Sequence, residues 1–128
     1  MICVLRVKTQ KSALPDLGKF GAMKPYRIDE NVSGEPEAAY LHYSVMDEEV
    51  SFSEGVQILL SFLDANAGDI ELLSKPECNE LEFDVGINIF EDEFSKSLSL
   101  CPKLMGLLAR RGIALTLSLY QTSESDVE

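Results

Sequence analysis

Within residues 79–93, NELEFDVGINIFEDE, a strict two-residue period constrains the fold more than any other feature of the chain. Leu81, Phe83, Val85, Ile87 and Ile89 recur at every second position, and Glu80, Glu82 and Asp84 fill the places between them. Successive side chains of an extended strand point to opposite faces. The pattern therefore predicts a long strand with one face on an apolar core and the other in water. A strand covered on both faces would be apolar throughout. The sheet that holds this strand is thus expected to carry its helices on one side only. IALTLSLYQ at 113–121 repeats the pattern, with Ile113, Leu115, Leu117 and Leu119 expected inward and Thr116 and Ser118 outward.

The remaining elements follow from the same kind of reading. Cys3, Leu5 and Val7 oppose Val4, Arg6 and Lys8 in a first strand over residues 2–9. In AAYLHYSVM, residues 38–46, Leu41, Tyr43 and Val45 oppose Tyr40, His42 and Ser44, which suits a second strand. Ser51 and Glu54 have capping-box spacing, and Phe52, Val56, Leu59, Leu60 and Leu63 then share one helical face. Gly68 is expected to stop that helix. A second helix is predicted from about Leu100, with Pro102 in its first turn, through Leu104, Leu107 and Leu108 to Arg110 and Arg111. Cations in a last turn and Gly112 beyond it suit the helix dipole and a left-handed cap. Residues 10–37 hold three prolines and three glycines and predict loops with at most one short helix. Residues 121–128 read as an acidic tail. The expected fold is a single α+β domain over 1–128. It is a two-layer sandwich with a four- to five-stranded, mainly antiparallel sheet and two main helices on one face.

Charge narrows the partners. Twenty-two acids against eleven bases give a formal net charge of -11, a field that repels phosphate backbones and attracts basic proteins. A protein partner is expected, and no direct nucleic acid. Cys3, Cys78 and Cys101 are odd in number and lack C-x-x-C spacing, which predicts reduced thiols rather than a disulfide framework or zinc clasp. MICVLRVKT has too short an apolar run for a signal-peptide core or a membrane span. The expectation is a cytoplasmic protein with no membrane partner.

The acids suggest no reaction. EDE at 91–93 and DEE at 47–49 lack calcium-loop spacing, and His42 is the sole histidine. Paired-carboxylate catalysis needs one acid in an apolar pocket and one outside it, an asymmetry that alternate positions of a wet strand do not provide. Without a nucleophile elbow, a phosphate loop or a dinucleotide fingerprint, the chain is expected to be no enzyme and to need no cofactor or metal. A docking surface fits the charge better. Its candidate residues are Glu80, Glu82, Asp84, Glu91, Asp92, Glu93, Asp47, Glu48 and Glu49, with Tyr40, Tyr43 and Tyr120 as aromatic anchors. The alternative is that the acids only keep the protein in solution.

LGKFGAMKPYRIDENVSGEPEAAYLHYSV and LSLCPKLMGLLARRGIALTLSLYQ resemble segments of a family of small bacterial α+β domains. In that family a glycine-marked loop leads into a strand, and a proline-initiated helix, a glycine turn and an alternating strand form the ending. Members of this kind are similar to immunity proteins of polymorphic toxin and contact-dependent inhibition systems. The resemblance implies no catalytic residues. It implies inhibition of a partner, with a basic, nuclease-type toxin as the natural complement of the acidic surface, and a ligand-binding or self-associating module as the alternative.

Overall fold

The structure is a computed structural model and describes residues 1–90 and 96–122. Its frame is a five-stranded sheet in the order β2-β3-β1-β4-β5. The strands are β1 (Ile2–Gln10), β2 (Arg27–Asp29), β3 (Ala38–Met46), β4 (Glu80–Phe90) and β5 (Ile113–Thr122). β1 pairs antiparallel with both β3 and β4, and β2 pairs antiparallel with β3. β4 and β5 are parallel, because the helix between them returns the chain to the end at which β4 began. The α+β architecture expected from the alternating strands is what forms.

Three α-helices, α1 (Phe52–Ala65), α2 (Ala67–Ser74) and α3 (Pro102–Arg111), pack on one face. The core joins Cys3, Leu5, Val7, Leu41, Leu81, Phe83, Val85 and Ile87 of the sheet to Val56, Leu59 and Leu63 of α1. Ile70 and Leu73 of α2 and Leu104 and Leu108 of α3 complete it. Phe62 meets Phe83 edge-on at 6.1 Å between ring centres, the arrangement that aromatic quadrupoles favour. Ser51 caps α1 by accepting from the Glu54 amide at 3.2 Å. Gly112, at φ 66°, closes α3 in the left-handed conformation.

Four local features depart from the sequence-based expectation. Gly68 does not stop a helix but lies inside α2; the break falls at Asn66, whose backbone leaves the helical region (φ -113°, ψ 22°) while its side-chain amide donates to the Phe62 carbonyl at 3.0 Å. The β1–β3 register shifts between Cys3 and Val4, so that Met46 and not Val45 takes the buried place, as a β-bulge allows. Residues 10–37 contain a 3-10 helix (Lys11–Phe20) and the short edge strand β2. Gly21, at φ 104°, lets the chain after that helix turn under α2, where the Asp69 carboxylate accepts from the amides of Ala22 at 3.1 Å and Met23 at 3.0 Å. Lastly, β5 is an edge strand whose burial fades along its length. Ile113 is buried, but Leu117 and Leu119, expected inward, are 38% and 56% exposed.

Candidate partner-binding surface

Because the helices all lie on one side, the outward residues of five strands form an open face. At its centre Arg6 of β1 reaches across to β4, donating to Glu82 Oε1 at 2.7 Å and to Asp84 Oδ2 at 3.1 Å. The second oxygens of the same carboxylates accept from β5, Thr116 Oγ1 at 2.9 Å and Ser118 Oγ at 2.8 Å. Arg6 stands directly opposite Glu82 in the ladder, whereas its bond to Asp84, and those of Thr116 to Glu82 and Ser118 to Asp84, run diagonally between positions two residues apart. Cross-strand neighbours are the units through which side chains stabilise a sheet. Arg6, Glu82 and Asp84 keep only 33%, 32% and 23% of their side-chain surface.

Two further polar groups flank this centre. Glu35 accepts from Lys8 Nζ and from the Tyr40 hydroxyl, both at 2.6 Å. The Lys8 ammonium, and then the Tyr40 hydroxyl, hold the Glu35 carboxyl below its ordinary range, and Glu35 in return raises Lys8 and Tyr40. On the β2 side Asp29 lies between Arg27 Nε at 2.9 Å and His42 Nε2 at 3.0 Å. Its carboxyl is lowered first by the Arg27 hydrogen bond. A general acid needs a carboxyl pushed upward, and these are pushed the other way. Both carboxyls are thereby held as negative charges.

Beyond Asp84 the face carries an apolar patch, bordered by Asn88, which accepts from Thr122 Oγ1 at 3.2 Å. Gly86 lies between Ile2 and Tyr120, and a Cβ there would meet Ile2 Cγ1 at 3.0 Å and Tyr120 Cε2 at 3.3 Å. The glycine lets both side chains close over the strand, and they remain 44% and 55% exposed.

The structure separates the residues proposed from sequence. Glu82 and Asp84 are on the open face but are already paired with Arg6. Glu80 is exposed at the Lys8 end, where its charge acts on Lys8 and Tyr40. Asp47, Glu48 and Glu49 are exposed in the turn after β3, at the opposite end. There Glu49 accepts from Asn88 Nδ2 at 2.7 Å. Tyr40 faces outward, whereas Tyr43 is a correction. It is on the helix side, 4% exposed, and burial pushes its phenol up to about 12, so it anchors the core and no partner. Glu91, Asp92 and Glu93 lie outside the described residues.

Sequence reasoning passed over Arg6, Lys8, Asp29, Glu35, Thr116 and Ser118 as site residues. A signal for Arg6 and Lys8 was present, since MICVLRVK places both on the outward side of the first strand. Their partners required the register. On the helix side a groove of about 420 Å³ runs between α1 and α3, with Gln57, Leu60 and Asp64 on one wall and Lys103, Leu107 and Arg111 on the other.

Among the described residues no three histidine, cysteine or acidic side chains cluster as metal ligands, and no helix is long and apolar enough to cross a membrane. Neither the models of known families, nor the curated proteins, nor the solved structures contain a match to this chain.

Proposed function

We propose that this protein is a non-catalytic binding protein that neutralises a basic protein partner, in the manner of an immunity protein acting on a nuclease-type toxin. The observation that carries the reading is a sheet face left uncovered by helices and held rigid by cross-strand ion pairs, on a chain of net charge -11. A fixed polar face restricts the rotamers of its residues before a partner arrives, which lowers the ordering cost of association. The rim acids Asp47, Glu48 and Glu80 steer a cation-rich surface toward that face. Tyr40, Tyr120 and Ile2 supply contact area, the kind of residue that carries binding energy at interfaces.

The test is kinetic. A basic protein that co-purifies with the chain is isolated, and its association is followed by stopped flow against wild type and against Asp47→Lys combined with Glu48→Lys. Both side chains are exposed, so folding should be unaffected. Association should slow about tenfold at low salt and converge with wild type as salt screens the field. Equal rates at low salt in a folded variant would remove the charge argument.

A further inference from the structure

The two edges of the sheet are not alike. β2 is three residues long and carries Arg27 and Asp29, the short, charged kind of edge that discourages pairing with another chain. β5 is ten residues long, and from Gly112 to Ser123 the sequence has no charged residue in a chain that is 26% charged. Among the described residues no strand pairs with its outer side. It also carries exposed apolar side chains on both faces, Leu117 at 38% and Leu119 at 56% on the helix side and Tyr120 at 55% on the open side. A long, uncharged, apolar edge is a template for strand addition.

We propose that β5 pairs with β5 of a second copy of this chain, antiparallel about a two-fold axis through Leu117, to give one continuous ten-stranded sheet. Charge selects this occupant. A basic partner gains no attraction from a strand without carboxylates, whereas two chains of net charge -11 repel each other least along an edge where neither presents charge.

The side chains are self-complementary in the same register. With Leu117 opposite Leu117 of the second copy, Leu119 meets Leu115 and Thr116 meets Ser118. Tyr120, the largest side chain of the strand, meets Ala114, its smallest. Such a pairing is isologous and closes on itself. It covers Leu117 and Leu119 with leucines and brings two open faces side by side in one plane. The inference is independent of the proposed basic partner and is tested on the purified chain alone.

Light scattering after size exclusion should give twice the 14.2 kDa chain mass. In a Cys78→Ser background, which removes the exposed thiol, Leu117→Cys should link two chains on oxidation. Ser118→Cys should link roughly tenfold more slowly, because its Cα atoms would lie beyond disulfide reach of one another. Leu117→Lys places like charges opposite and should return the mass to that of one chain. If that variant misfolds, Leu119→Lys, at the more exposed position, replaces it. A single-chain mass for wild type overturns the proposal, including the case in which only a strand from a different protein occupies the edge. So does linking at Ser118 as fast as at Leu117, or a Lys variant that folds and keeps the doubled mass.

Discussion

Arg6 donates to Glu82 across 2.7 Å at the centre of the open face, and the same guanidinium holds Asp84. Glu82 and Asp84 are thus engaged by the neighbouring strand before any partner arrives, one guanidinium against two carboxylates. Reversing both, Glu82→Lys with Asp84→Lys, gathers three cations on adjacent positions and also removes the acceptors of Thr116 and Ser118. Like charges directly opposite in a sheet destabilise it, by up to about 1 kcal/mol for each pair. The double variant should therefore lose about 1–3 kcal/mol in urea unfolding. Glu82→Gln, which still accepts from Thr116, should lose less than about 1 kcal/mol. Equal stability of wild type and double variant would show that the ion pairs contribute nothing.

Leu59 is 1% exposed at the centre of the face that α1 turns to the sheet. Leu59→Ala should cost about 2–5 kcal/mol, the range for a buried leucine that leaves a cavity. Guanidinium unfolding measures it, and a loss under about 1 kcal/mol would mean that the helix repacks to fill the space.

Gly21 combines a φ of 104° with the Asp69 carboxylate occupying the place where a Cβ would stand. Gly21→Ala must both strain the backbone and displace the group that holds the Ala22 and Met23 amides. A cost of about 1–3 kcal/mol is expected, with faster amide exchange at Ala22 and Met23. Unchanged exchange there would refute the role given to Asp69.

Stability should have a plateau bounded on both sides by pH. Burial pushes Cys3 from 9.0, and Tyr43 from 10.0, to about 12. Folding thus favours the protonated thiol and phenol. Their contribution is complete below about pH 9 and declines from there toward 12, where the unfolded chain ionises and the folded one does not. Asp29 and Glu35 are lowered, so theirs is present above the ordinary carboxylate range and is lost as pH falls through their folded values. Denaturation midpoints from pH 3 to 11 would trace this shape. In the native protein at pH 8, Ellman's reagent should modify exposed Cys78 and spare Cys3. A rapidly reacting Cys3 would contradict its burial.

Four of the five strands and the faces of α1 and α3 were legible because periodicity reports burial directly, Leu81, Phe83, Val85 and Ile87 all being buried, whereas the three-residue β2 is too short to show a period. What escaped was whatever depends on a neighbour. Gly68 reads as a stop only if nothing packs beyond it, and Ile70 and Leu73 give the following residues a reason to remain helical. The bulge at Val45 is invisible without β1 opposite. Alternation set Tyr43 with Leu41 and opposite Tyr40, but which side of β3 the helices cover depends on the neighbouring elements. The acids show the same limit, since alternation placed Glu82 and Asp84 outward but gave no hint that Arg6 would stand between them.

The sheet order sets how this chain can fold. Among the described residues the β2–β3 and β4–β5 ribbons do not pair with each other and are joined within the sheet by β1, whose Ile2 sits opposite Gly86. Neither ribbon is a stable half on its own, because an isolated pair of strands is marginal in water. β1 must wait for β4 to be synthesised before the sheet closes. Pairing at such sequence separation is slow, since loop entropy is lost before contacts return it. Cooperativity then has a structural origin in one strand: detach β1, and the sheet separates into two ribbons that share only the helical layer.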